Sequence, residues 1–324
     1  MVKAIQFKTP GGPEVLEMTD IDLAAPAAGE ITVRHTAIGL NFIDTYHRTG
    51  LYPLPLPAGI GMEGAGVVEA VGSTVSDLAV GDRVAYASPP PGSYAEARNI
   101  AADRVVKIPD GVEDQTAAAM MLKGMTAQYL IRQIYKVGKG DTILIHAAAG
   151  GVGQIVCQWA NHLGATVIGT VGSKEKAEIA KANGCHHPVL YNDEDFVERV
   201  KEITDGKMLP VVYDSIGATT FDKSLDCLRQ RGLMVSFGQA AGPIPPVNLG
   251  VFAQKGSLFF TRPTLFNYIS TAEDLRATAG DLFDAVSSGA VKIHIDQTFP
   301  LSEAKAAHEA LEARKTTGST VFTI

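Results

Sequence analysis

Residues 141–176, DTILIHAAAGGVGQIVCQWANHLGATVIGTVGSKEK, decide the fold. The run TILI at 142–145 is apolar and β-branched with no polar alternation, as a strand covered on both faces reads. It leads into Gly150-Gly151-Val152-Gly153. A helical pattern follows, with Ile155, Val156, Trp159, Ala160 and Leu163 on one face and Gly164 to stop it. A second apolar strand, ATVIGTV, begins at Ala165. Strand, glycine turn, helix and strand within about thirty residues form the unit that seats a dinucleotide pyrophosphate on a helix N-terminus. Ala148 stands where the G-x-G-x-x-G fingerprint wants its first glycine. A nucleotide site is therefore expected, the plainer alternative being a glycine-rich strand-to-helix turn.

The surroundings of this unit are those of a large globular chain. At 324 residues there is room for two domains, and 46% hydrophobic with 19% charged residues leaves no sign of disorder. A net charge of −7 without any block of basic residues argues against nucleic acid or an anionic membrane as partner. MVKAIQFKTPGG at the start lacks the apolar core of a signal peptide, and no apolar run reaches membrane-spanning length. Cys157, Cys185 and Cys227 lie far apart with no CxxC pair, so neither disulfides nor a cysteine-rich zinc site is expected and a cytoplasmic location fits.

Residues 1–122 read as a β-rich domain. VKAIQF, EITVRHTAIG, GVVEAVG and DRVAYA are strand-like and separated by Gly and Asp, while prolines crowd the loops at 53–57 and 89–91. A partly open barrel is the expectation. Over 123–263 the period changes: SKEKAEIAKANG is a helix, HPVLY a strand, and Phe196, Val200 and Ile203 share a helix face before the strand LPVVYDSIG. Phe221, Leu225 and Leu228 then stripe a helix expected to run to Gly232, and GLMVSFG and SLFFTR add two strands. Six strands alternating with helices give an α/β, doubly wound parallel Rossmann sheet. Residues 264–324, with a helix opened by Thr271-x-x-Asp274, a second helix and a last strand STVFTI, are expected to complete the first domain.

The cofactor can be argued from the end of the second Rossmann strand. An NAD site carries an Asp or Glu about twenty residues past the first glycine, to accept from the ribose 2′-OH. Here Thr170-Val171-Gly172-Ser173 occupies that point, with no carboxylate before Glu175. Ser173, Lys174 and Lys176 instead offer donors and charge to a 2′-phosphate, so NADPH is favoured over NADH. The alternative is a solvated lysine pair opening a helix. For a metal, none of the eight histidines has ligand-like spacing to Cys or acidic partners. His186-His187 read as a wet loop; His146 is near the glycine turn, either by the cofactor or as a half-buried hydrogen-bonded residue.

HAAAGGVG, NFIDTYHRTGLYP, VVYDSIG, RGLMVSFG and TRP together resemble the NADPH-dependent quinone oxidoreductases of the zeta-crystallin type, within the medium-chain dehydrogenase/reductase superfamily. The likeness runs from GGPEVLE at Gly11 to TTGST near the end. It implies a GroES-like barrel for the first domain and a homodimer. Where the superfamily's zinc alcohol dehydrogenases place a cysteine and a histidine ligand, this chain has Asn41 and Met62, so the resemblance is to the zinc-independent branch. Without a Lewis acid, alcohol chemistry loses its usual stabilisation of the alkoxide, whereas a quinone or enone spreads incoming charge itself.

The resemblance also implies site residues. Asn41, Phe42, Asp44 and Tyr46 would lie near the nicotinamide, and Tyr129, Gly151 and Val152 along the pyrophosphate. Gly172, Ser173 and Lys176 would hold the adenosine phosphate, with Tyr191 beside the adenine-ribose. Ser215, Phe237, Arg262 and Arg314 are further contacts. Tyr46 and Tyr52 are candidates, with Asn41, for the acceptor site and for proton donation, or else turn aromatics packed on the barrel. Arg262 and Arg314 could equally serve surface ion pairs. The leading expectation is quinone reduction by NADPH. The alternatives are reduction of an alkenal or enone double bond, and a non-catalytic NADPH-binding sensor.

Overall fold

The computed structural model describes residues 1–324. They divide into two compact units: Met1–Met125 with Ile269–Ser287 and Ile293–Ile324, and Thr126–Tyr268 with Ser288–Lys292.

The first unit opens with β1 (Val2–Phe7), β2 (Glu17–Ile21), β3 (Glu30–Leu40), helix α1 (Phe42–Arg48), β4 (Ala58–Gly59), β5 (Glu63–Val71), β6 (Arg83–Ala87), β7 (Ala97–Ala101) and β8 (Val106–Lys107). The long strand β3 organises it, pairing antiparallel with β5 and, over its first half, with β7. Ile31, Val33, Val68, Val84, Tyr86 and Ile100 form one packed cluster of this β-rich body, and Ile5, Phe7, Ile38, Leu40 and Phe322 belong to a second. At its end, helix α2 (Asp114–Gln128) begins.

In the second unit, β9 (Thr142–His146), α3 (Gly151–His162), β10 (Thr166–Val171), α4 (Lys174–Ala182), β11 (His187–Leu190), α5 (Phe196–Ile203), β12 (Leu209–Asp214), α6 (Phe221–Asp226), β13 (Leu228–Ser236), α7 (Gly250–Gln254), β14 (Phe259–Thr261) and α8 (Leu265–Tyr268) follow in turn. All six strands are parallel, in the order β11-β10-β9-β12-β13-β14. That is the doubly wound Rossmann order, with the reversal between β9 and β12. Apolar side chains of the strands and of α5 and α6, among them Leu144, Ile168, Val212, Phe196 and Phe221, bury one core. The chain then returns to the first unit through α9 (Ala272–Ser287), β15 (Ile295–Pro300), α10 (Ala304–Glu312) and β16 (Ser319–Thr323), and β16 pairs antiparallel with the end of β3.

Two local readings are corrected. The helix carrying Phe221 and Leu225 stops at Asp226, and Leu228 opens β13. Gly232 is therefore inside a strand and stops no helix; a side chain there would meet the Arg229 carbonyl oxygen at 2.8 Å. His187 opens β11, and only His186 is exposed. His186 is in the exposed bend before β11, its Nδ1 accepting from the Val167 backbone N–H at 3.0 Å, so the wet-loop reading holds for His186 and not for His187.

Candidate functional site

The second unit gathers its candidate residues at the carboxyl ends of its strands. Gly151 and Val152 follow β9, Gly172 and Ser173 follow β10, Tyr191 follows β11, Ser215 follows β12, Phe237 follows β13 and Arg262 follows β14. In an open parallel sheet, ligands bind at this edge, at the point where strand order reverses. The turn after β9 is built by backbone sterics. Ala147 adopts a left-handed conformation, φ 56°, and the Gly150 N–H returns to its carbonyl at 2.9 Å. A Cβ on Gly153 would lie 2.3 Å from that same oxygen, so only glycine lets α3 start here. Gly150 caps the helix without a side chain, leaving the first backbone N–H groups of α3 without intrahelical acceptors. Such a terminus favours an anion.

Beyond β10 the structure makes a second small cradle. A Cβ on Gly172 would come 2.7 Å from the Tyr191 hydroxyl, so the glycine admits the ring. Ser173 caps α4, its Oγ accepting the Lys176 backbone N–H at 3.3 Å. The exposed Glu175 carboxyl is held below its ordinary range by its own backbone N–H and then by the Ser173 hydroxyl. Both lysines of this turn, Lys174 and Lys176, are at least partly exposed.

A third group lies toward the β14 side. Tyr129 is buried and stacks on Tyr268, with ring centroids 4.6 Å apart and 10° between planes. Burial pushes its hydroxyl pKa up, and the nearby Arg262 guanidinium opposes this. Arg262 donates to the Ser236 carbonyl at 3.0 Å, one residue before Phe237. Asp214, fully buried, pins the loop carrying Ser215: its Oδ1 accepts from the N–H groups of Ile216 at 2.7 Å and Gly217 at 3.1 Å. Ser224 donates to Asp214 Oδ2 at 3.0 Å and is hydrogen-bonded to His146 Nε2 at 2.9 Å, and His146 Nδ1 bonds Thr170 at 2.8 Å. His146 is thus a fully used core histidine rather than a half-buried one, and desolvation lowers its pKa against the pull of Asp214.

In the first unit Asn41 is the N-cap of α1, with Phe42, Asp44 and Tyr46 on the helix. Phe42, Tyr46 and Tyr52 form an aromatic row, with centroids 5.6 Å and 5.3 Å apart. Tyr46 and Tyr52 are half-buried. The Asn41 N–H donates to Asp44 Oδ2 at 2.9 Å, and its side-chain Nδ2 donates to Glu63 Oε2 at 2.6 Å. Glu63 also accepts the Leu122 N–H at 2.7 Å and faces the Lys123 ammonium at 3.4 Å. Tyr94 donates to Asp44 Oδ2 at 3.0 Å, and burial, the largest cause, raises the Asp44 carboxyl to about 7. Arg314 is exposed just beyond α10 in a left-handed conformation, φ 57°. Met62 is buried, and no cluster of three His, Cys, Asp or Glu side chains is placed to hold a metal.

Sequence reasoning missed Glu63 and Lys123. The signal was there for the lysine: it is the one charged residue in AAAMMLKGM, an otherwise apolar helical stretch. A charge in such a stretch is paired when buried.

Two segments of the chain match family models, an alcohol dehydrogenase GroES-like domain over residues 27–110 and a zinc-binding dehydrogenase over 151–285. A quinone oxidoreductase of Pseudomonas aeruginosa is 56% identical over 99% of both chains. A 2-haloacrylate reductase from a Burkholderia species is 48% identical, again over 99% of both. The crystal structure of Escherichia coli quinone oxidoreductase complexed with NADPH superposes with a TM-score of 0.98 at 49% identity, covering 99% of this chain and 100% of that one.

Proposed function

The chain belongs to the quinone oxidoreductase family of the medium-chain dehydrogenase/reductases, and from that premise we propose that it reduces quinones with NADPH. The observation that carries the reading is the β9–α3 turn, where Ala147, Gly150 and Gly153 leave backbone N–H groups free at a helix N-terminus. This suits a pyrophosphate. Gly172, Ser173, Lys176 and Tyr191 suit the phosphorylated ribose and adenine, the absence of a carboxylate before Glu175 removing the usual reader of an unphosphorylated 2′-OH. A 2′-phosphate competes with Glu175 for the Ser173 hydroxyl. Bound NADPH supplies the reducing electrons. The chain's own residues position it: Tyr129, Ser215, Phe237 and Arg262 at one end of the sheet edge, with Asn41, Phe42, Asp44, Tyr46 and Arg314 as further contacts.

For the acceptor, a conjugated ring disperses incoming charge, so Asn41, Tyr46 and Tyr52 need only orient it, the two tyrosine hydroxyls donating hydrogen bonds to its oxygens. With Asn41 and Met62 at the two positions where zinc dehydrogenases hold ligands, the reaction is zinc-independent in this account. Reduction of an activated double bond is the second reading, supported by the identity to a 2-haloacrylate reductase. NADPH oxidation by the purified protein against quinones, alkenals and simple aldehydes tests the choice. Turnover of quinones above alkenals supports the first reading, the reverse the second, and NADPH binding without turnover would leave only a sensor.

The protein is a homodimer in this reading, because β14 is an edge strand with Phe259 61% and Phe260 41% exposed. A second copy pairing on that edge would cover both. No helix is long and apolar enough to cross a membrane, and the three buried cysteines are free thiols, Cys157 hydrogen-bonded to Cys185; a cytoplasmic location is part of this reading.

A further inference from the structure

Two buried carboxyl side chains bond Asn41, and a buried lysine bonds one of them and the residue before Asn41. Asp44 accepts its backbone N–H at 2.9 Å. Glu63 accepts its side-chain Nδ2 at 2.6 Å. The Lys123 ammonium donates to the carbonyl of the preceding Leu40 at 3.0 Å and pairs with Glu63 at 3.4 Å. The backbone makes room for this: Gly39 is the register partner of Glu63, and a Cβ on Gly39 would strike Glu63 Oε2 at 2.2 Å. Two partners of the Glu63 carboxyl, Leu122 N and Lys123 Nζ, can only donate, and the Asn41 amide meets the same carboxyl at 2.6 Å. The carboxyl is therefore the acceptor in each bond, and the Asn41 amide has one orientation: NH₂ toward Glu63, carbonyl oxygen directed away.

Stability does not explain such an arrangement. A buried ion pair is often matched or bettered by apolar side chains of similar volume, because desolvating two charges offsets their attraction. We infer that Glu63 and Lys123 are positioning residues for the reaction, holding the Asn41 amide so that its carbonyl oxygen is a fixed acceptor toward the bound reactants. An oxygen so placed accepts from an N–H or O–H and from nothing else, which selects a carboxamide NH₂ or the hydroxyl of a reduced acceptor. The inference rests on the quinone-reductase reading and on Asn41 belonging to its site.

The test is a cycle of variants assayed for NADPH oxidation with 1,4-benzoquinone beside the wild type. Replacing the pair together, Glu63→Met with Lys123→Met, should leave the thermal midpoint at or above the wild-type value while kcat falls by about tenfold to a hundredfold, the size expected of a misplaced site group. The KM for quinone should change far less. In the Asn41→Ala background the same double replacement should have no further effect on kcat, because the pair acts through that amide. Glu63→Gln, which still offers an oxygen to Nδ2, should recover part of the loss seen in Glu63→Ala. A wild-type kcat in the Met-Met variant, or an equal fall in the Asn41→Ala background, would overturn the inference and leave the function standing. A wild type inactive on every quinone would overturn both.

Discussion

Gly169 has no side chain where Ala148 has one: a Cβ on Gly169 would lie 2.5 Å from the Ala148 Cβ and 2.7 Å from Cys185 Sγ. The alanine that departs from the dinucleotide fingerprint is thus accommodated by a glycine on the neighbouring strand, β10. Gly169→Ala should destabilise the second unit by about 1–3 kcal/mol through overpacking. Adding Ala148→Gly should restore part of that, the remainder reflecting Cys185. Urea unfolding of the two variants would show it, and equal losses with and without Ala148→Gly would refute the contact.

Lys176→Ala should weaken NADPH binding by about tenfold to a hundredfold, the loss of one charged hydrogen-bond partner at about 1.5–3 kcal/mol. NADH binding should hardly change. Titration with both cofactors reads this directly; equal losses would mean that the lysine does not contact the 2′-phosphate.

Acid and base should act on stability through opposite groups of the first unit. His308 Nδ1 faces the Arg48 guanidinium at 3.0 Å, which can only donate, so the ring is neutral and its pKa is lowered to about 3, burial first and Arg48 second. Burial likewise lowers His35 to about 4. Their contributions are present above pH 6.5 and lost as pH falls toward those values. Asp44, raised from 3.8 to about 7, does the reverse: its contribution is full below about pH 4 and lost as pH rises to 7. Asp44→Asn should therefore gain on the order of 2–4 kcal/mol relative to wild type between pH 4 and pH 8. Thermal midpoints across that range measure it; parallel curves would contradict the assignment.

Phe260→Asp should yield a monomer by light scattering at micromolar concentration, since the charge would sit on the β14 edge. An unchanged dimer would place the interface elsewhere, and a monomeric wild type would remove it.

The sheet was legible because its strands are unbroken apolar runs punctuated by glycine, and that pattern fixes which ends carry ligands. The end of α6 was not. Phe221, Leu225 and Leu228 keep helical spacing across the change from α6 to β13, and periodicity alone cannot mark where an apolar stripe passes from a helix to a buried strand. Glu63 and Lys123 were illegible as a pair because sixty residues separate them: the lysine stands out in its apolar stretch, but nothing local names its partner. His146 showed the converse. Its position beside the glycine turn allowed either the cofactor or a hydrogen-bonded, half-buried role, and two partners distant in sequence, Thr170 and Ser224, hold it in the core.

The most direct test of zinc-independent quinone reduction is the rate of NADPH oxidation with 1,4-naphthoquinone by protein exhaustively treated with a chelator. By the family resemblance Asn41 and Met62 stand where zinc dehydrogenases hold ligands, and Asn41 is already committed to Glu63 and Asp44. The chelated protein should therefore turn over the quinone at the untreated rate, and primary alcohols with NADP⁺ should give no comparable rate. Activity abolished by the chelator and restored by added zinc would contradict it.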